Sequence, residues 1–133
     1  MNVWLYRVGR NLNRAYRTCE AFGVTQLFLI ECDPQLSGSL FQAADRVEIC
    51  VMQAWPSWPT TLALETSYPA PLWSIPFAPI QHLLLGGETA GLPVSRIAPA
   101  YRAHIPQQGK VSGLTVEAAL AIALYEWRRQ QDV

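Results

Sequence analysis

Two short stretches limit the fold more than anything else in this chain. Leu27, Phe28, Leu29 and Ile30 run without a polar residue, and so do Leu83, Leu84 and Leu85. A strand with one wet face would alternate, and a helix needs a longer stretch. Such runs belong to strands covered on both faces, as in a parallel sheet whose crossovers pack against it. The second run empties into a glycine-rich bend, so the strand and a candidate ligand loop are one continuous segment, LLLGGETAGLP at 83–93.

The rest of the chain alternates in the same way. Residues 3–6 and 47–52 are β-prone, and 11–22 read as a helix stopped by Gly23 in the C′ position. Residues 40–45 have weak helical character, and 60–67 read as a helix opened by Pro59. A strand is predicted at 72–77, where Pro76 turns the end toward a sheet edge or a bend. A short strand at 102–105 and a last helix at 114–130 complete the pattern. Strands interleaved with helices predict an α/β domain with a largely parallel sheet and helices on both faces. The 133 residues suffice for one such domain, and no internal repeat or linker divides them.

The last helix carries a stripe of Val116, Leu120, Leu124 and Trp127, which Ala118, Ala119, Ile122 and Ala123 widen around most of the cylinder. A helix apolar over so much of its circumference is buried on two sides. In so small a domain the second side implies a partner subunit, and a two-fold homodimer is expected. Glu117 at its start and Arg128 and Arg129 at its end complement the helix dipole.

Half of the residues are hydrophobic and 15% are charged, which excludes a disordered chain. The longest apolar runs, such as 118–125, fall short of the roughly 18 residues of a membrane span. Residues 1–17 hold four arginines and no adequate apolar core for a signal peptide, so none is expected. Cys19, Cys32 and Cys50 lack C-x-x-C spacing and read as reduced, buried thiols of a cytoplasmic protein. His82 and His104 stand alone within strands and read as structural, and with no His/Cys/Asp cluster no metal is expected.

Formal net charge is zero, but Arg7, Arg10, Arg14 and Arg17 all precede the first acidic residue, Glu20. Their spacing of three, four and three residues places them on one face wherever the segment is helical. A local arginine face lets a neutral protein bind RNA, and a dimer doubles it. A solvated helix face is the plainer reading.

The bend after Leu85 has the G-x-x-x-x-G spacing of a phosphate loop in Gly86 and Gly91, but Leu92 and Pro93 follow where lysine and a hydroxyl residue are needed. Glu88 within it would repel phosphates. The G-G-x-x-x-G pattern also lacks the context of a dinucleotide fingerprint. An ordinary strand-to-loop turn and a non-phosphate ligand site both remain open at this point.

Three segments taken together resemble the motifs of the SpoU (TrmH-like) family of the SPOUT superfamily, RNA ribose 2′-O-methyltransferases. They are N-L-N-R-A-Y-R-T-C from Asn11, G-G-E-T-A-G-L-P from Gly86, and I-P at Ile105 followed by G-L-T-V-E from Gly113 and a helix containing A-L-Y-E. The resemblance covers nearly the whole chain and implies a parallel sheet with a C-terminal trefoil knot. It also implies S-adenosylmethionine as cofactor, RNA, tRNA more than rRNA, as substrate, and a homodimer. Carried over by position, Arg17 stabilises the attacking ribose oxygen, Asn11 holds the first loop or the ribose, and Glu88 orients Arg17 or Asn11. Leu85, Gly86, Gly87, Gly91, Ile105, Val111, Gly113, Leu114 and Thr115 are implied as the cofactor wall, where glycine permits close approach of the adenine. Arg7, Arg10 and Arg14 are expected on RNA. Gly113, Thr115 and Asn13 depart from the family's serine, asparagine and glycine. These departures keep a second reading open, a non-catalytic RNA-binding homodimer; a third is an unknotted flavodoxin-like domain for another ligand.

Overall fold

The computed structural model describes residues 1–33, 46–87, 89–110 and 113–131. Among them, six strands and two α-helices follow in the order β1 (Asn2–Tyr6), α1 (Leu12–Ala21), β2 (Gln26–Ile30), β3 (Glu48–Met52), β4 (Thr61–Leu64), β5 (His82–Gly86), β6 (Tyr101–Ala103) and α2 (Val116–Gln131). The strands form one sheet in the order β3-β2-β1-β5-β4-β6, parallel at every step. The uninterrupted apolar runs occupy its interior. Leu5 pairs with Leu29 on one side and Leu85 on the other, and all three are buried.

Side chains alternate across this sheet, and the two faces are covered differently. Val3, Leu5, Leu27, Leu29, Leu83 and Leu85 share a core with Leu12, Tyr16 and Cys19 of α1 and with Leu120 and Leu124 of α2. Trp4, Tyr6, Ile30 and Leu84 face the other way, where Trp55, Trp58, Leu92 and Ile97 from loops pack on them. Trp4 stacks on Phe28 with ring centroids 4.4 Å apart, and its indole N–H donates to His82 Nδ1 at 3.1 Å. Both described helices therefore lie on one face, and loops cover the other.

Two elements differ from the sequence expectation. Residues 60–67 are not a helix: a 3₁₀ turn at Trp58–Thr60 leads into β4, whose four residues are all buried. A short apolar run has no period to separate the two states, and flanking by β5 and β6 decides for strand. Residues 72–77 are not a ladder strand but a 3₁₀ turn, Leu72–Ser74, between Pro71 and Pro76. Prolines cannot donate to a ladder, and only an isolated bridge from Pro71 to His104 remains. The helical segment expected at 40–45 lies outside the described residues.

The first helix ends as expected, with Phe22 as C-cap and Gly23 at φ +78°. The last helix buries Val116, Leu120, Ala123, Leu124 and Trp127 but leaves Ile122 at 41% and Tyr125 at 64% exposure. Within one chain it is buried on one side only.

Candidate active site

The carboxyl ends of β4, β5 and β6 open onto a cavity of about 460 Å³, within the size range of small-molecule sites. Three segments wall it. Leu64, Glu65 and Thr66 continue β4; Leu85, Gly86 and Gly87, then Thr89, Ala90 and Gly91, follow β5; Ile105 and Gln107 follow β6. The start of α2 closes it with Gly113, Leu114, Thr115, Val116 and Ala119. Every described residue implied as the cofactor wall borders this one space, and Val111 lies outside the described residues.

The glycine bend is shaped by protein backbone. A Cβ at Gly86 would sit 2.5 Å from the Gly91 carbonyl carbon, and one at Gly87 would collide with the Arg7 carbonyl oxygen. Gly87 N–H donates to Tyr6 O at 2.8 Å, Gly91 N–H returns to Gly87 O at 2.9 Å, and Gly91 takes φ +62°. Close approach of protein backbone thus requires glycine at positions 86 and 87. Gly113 differs: a Cβ there would have Thr66 Cγ2 at 4.0 Å as its neighbour, so the missing serine is not excluded by space.

Leu92 N–H donates to Glu65 Oε2 at 2.9 Å, tying the bend to β4. Glu65 escapes a sequence reading that makes 60–67 a helix. As the residue after β4 it stands at the sheet's ligand-binding edge. Among the described lining residues it is the one ionisable side chain. Leu64, Leu85, Ile105, Leu114 and Val116 offer apolar surface, and Thr66, Thr89 and Thr115 offer hydroxyls. With no arginine, lysine or histidine among them, this set suits a nucleoside bearing positive charge and not a phosphate ester. S-adenosylmethionine fits that description. No group of His, Cys, Asp and Glu that could hold a metal occurs among the described residues.

Of the expected catalytic residues, neither Asn11 nor Arg17 lines this cavity. Asn11 is the N-cap residue of α1; its carbonyl accepts the Ala15 N–H at 2.9 Å, and its side chain makes no cap bond. Arg17 is exposed on α1 and forms no ion pair with a described residue. Glu88 lies outside the described residues. The arginines do not form a single helical face, because α1 begins only at Leu12. Arg7 and Arg10 precede it, while Arg14 and Arg17 are both exposed on it, three residues apart. Arg7 pairs with Glu31 at 3.0 Å, and this bond raises its pKa. Arg14 reaches Glu117 in the first turn of α2 at 3.5 Å, which links the first motif to the third.

A second cavity, about 510 Å³, lies at the opposite edge of the sheet around Asn2, Gln81 and Gln130. Its Gln130 amide is engaged in packing, accepting from Phe77 N–H and donating to Ile75 O, both at 2.8 Å. His82 lies near that edge with its pKa lowered by burial and then by the N-terminal charge. Cys19 is buried and its thiol is pushed up to about 12, so it is inert at neutral pH.

The SpoU rRNA Methylase family matches residues 1–125. Comparison with curated protein sequences returned no match. Among solved structures, one concerned with the 2-OH methylation of C/U34 on tRNA is similar at 25% identity and TM-score 0.82, over 98% of this chain and 95% of that one. An AdoMet-bound rRNA methyltransferase from Sinorhizobium meliloti is similar at 27% identity and TM-score 0.79, over 96% of this chain but 55% of that one. The SpoU methyltransferase AviRb from Streptomyces viridochromogenes, in complex with AdoMet, shares the fold at 21% identity and TM-score 0.81, over 99% of this chain and 58% of that one.

Proposed function

Since the chain belongs to the SpoU rRNA Methylase family, we propose that it transfers the methyl group of S-adenosylmethionine to a ribose 2′-hydroxyl of RNA, with tRNA as substrate. The observation that carries this reading is the cavity at the ends of β4, β5 and β6, where motif residues far apart in sequence border one space with no cationic side chain among its described lining residues. The choice of tRNA rests on extent. The structure concerned with tRNA 2-OH methylation is matched over 95% of its length, against 55% for the rRNA methyltransferase.

In this reading the backbone at Leu85, Gly86, Gly87 and Gly91 and the segment from Gly113 to Thr115 hold the nucleoside, with Ile105 against its apolar surface. When bound, S-adenosylmethionine supplies an electrophilic methyl group on a sulfonium. The chain's own task is to position and activate the hydroxyl, whose oxygen is a poor nucleophile when neutral. Arg17 donates hydrogen bonds to the developing alkoxide and lowers its energy electrostatically. Asn11, a neutral donor and acceptor, holds the ribose or the first loop, and Glu88 orients the guanidinium. Arg7, Arg10 and Arg14 meet phosphates; Arg7 exchanges Glu31 for RNA at little cost, because a pair exposed at both ends is weak.

Arg17 does not line the cavity within one chain, and in this reading bound RNA or a second copy completes the site. The exposed Ile122 and Tyr125 on α2 favour a homodimer docked along that helix. A trefoil knot is the reading of the C-terminal path. Beyond edge strand β6, His104 exchanges backbone bonds with Ala70 and Leu72 in the β4–β5 connection, and the chain then returns to pack α2 against α1 and β5. Free Cys19, Cys32 and Cys50 suit a cytoplasmic setting.

Ribose methylation mapped across tRNAs and rRNAs, with and without the gene, tests the reading. Loss of a 2′-O-methyl group from tRNA is the expected result, position 34 being the first to inspect. Gly113 and Thr115 favour the second reading, a non-catalytic RNA-binding homodimer. It is the conclusion if no site changes and the protein binds RNA in a salt-sensitive way without binding S-adenosylmethionine.

A further inference from the structure

We infer that Glu65 is the residue that makes the cavity select the methyl donor over its demethylated product. This rests on the methyl-donor reading of the cavity, which it deepens. The donor carries a sulfonium, an ammonium and a carboxylate, net +1. After transfer the sulfur is a neutral thioether and the net charge is zero. A pocket separates the two by placing negative charge near the sulfur or by leaving that charge out.

The cavity has such a charge. Glu65 is the one ionisable side chain among the described lining residues, and the surrounding walls are backbone, aliphatic carbon, hydroxyls and the Gln107 amide. Its place is held from several sides. Glu65 N–H donates to Ala103 O at 3.1 Å, its carbonyl accepts Tyr68 N–H at 3.2 Å, and Oε2 accepts Leu92 N–H at 2.9 Å. Both carboxylate oxygens lie 3.1 Å from where a Cβ on Gly91 would be, so the group is packed against the bend and not free in solvent. That single backbone bond leaves most of the acceptor capacity of the two oxygens unused. A carboxylate held in a partly enclosed cleft attracts a cation at several ångströms far more than it would in water. The product keeps the ammonium but has lost the sulfonium charge, so it gains less from the carboxylate, which favours product release after each turnover.

Glu65 thus combines a brace with a charge, and two substitutions separate them. Glu65→Gln keeps an oxygen able to accept the Leu92 N–H and removes the charge. Glu65→Asp keeps the charge on a shorter arm. Calorimetric titration of the full chain and of each variant with S-adenosylmethionine and with S-adenosylhomocysteine reads the selectivity directly, without RNA or turnover. For Glu65→Gln the affinity for S-adenosylmethionine is expected to fall about fivefold to tenfold, as expected for unit charges in a partly solvated cleft. The product affinity should stay within about twofold, and Glu65→Asp should keep the wild-type ratio. Parallel losses for both ligands, or no loss for either, in Glu65→Gln would assign Glu65 to the brace alone and overturn the inference. A wild-type protein that binds neither nucleoside would overturn the methyl-donor reading itself.

Discussion

Arg17 and the glycines of the second motif are the residues whose substitution separates chemistry from architecture. Arg17→Ala is expected to lower the methyl-transfer rate by about 10²- to 10³-fold, the usual loss for one preorganised oxyanion donor, with S-adenosylmethionine affinity unchanged by calorimetry. Lysine should restore little, since a point charge lacks the planar fork of the guanidinium. Gly86→Ala puts a methyl group 2.5 Å from backbone and is expected to destabilise the fold by about 1–3 kcal/mol in denaturant melts. Gly113→Ala, with 4.0 Å of clearance, should stay within about 0.5 kcal/mol of the parent. His82 gives a pH signature. Its folded pKa lies below the ordinary histidine value, so the unfolded chain binds the extra proton first. Its contribution to stability is full above about pH 6.5 and declines as pH falls through the folded pKa. Melting temperatures taken from pH 7.5 to 5 should drop, and His82→Gln should flatten that part of the drop. At this scale the motif residues were legible in the sequence because they carry distinctive chemistry at fixed spacing. Glu65 was not, because nothing in T-L-A-L-E-T marks where a strand stops.

At the scale of elements, the two misread segments share a cause. T-L-A-L at 61–64 and L-W-S-I-P-F at 72–77 are too short to show a period, so their neighbours decide their state. The first has β5 and β6 on either side and becomes a strand, and the second lies between prolines and makes only a bridge. Longer elements were legible: β1, β2, β5, α1 and α2 stand where their apolar patterns place them. The α2 helix adds a prediction of its own. Its inward stripe is satisfied by the sheet and α1, whereas Ile122 and Tyr125 are exposed. Ile122→Glu with Tyr125→Glu should convert a sedimenting dimer into a monomer while leaving the circular dichroism spectrum unchanged. A wild-type chain that sediments as a monomer at micromolar concentration would remove the dimer from the account.

For the whole molecule, a neutral chain with one parallel sheet gathers its second and third motif segments at one edge of that sheet. Local pattern could not supply this convergence: it depends on β5 lying between β1 and β4, and on the chain returning from β6 to α2. The resemblance supplied it instead, and the cavity shows what the arrangement has to offer, a cleft of about 460 Å³ with apolar walls and one carboxylate. The central claim is that this cleft holds a methyl donor for an RNA ribose. Its most direct test is incubation of the purified protein with methyl-labelled S-adenosylmethionine and unmodified tRNA, followed by digestion to nucleosides. The account predicts label in a 2′-O-methylated nucleoside from tRNA, entering about 10²- to 10³-fold more slowly when Arg17→Ala replaces the wild type. Label on a base, or no label in any tRNA or rRNA although the protein binds the donor, would contradict it.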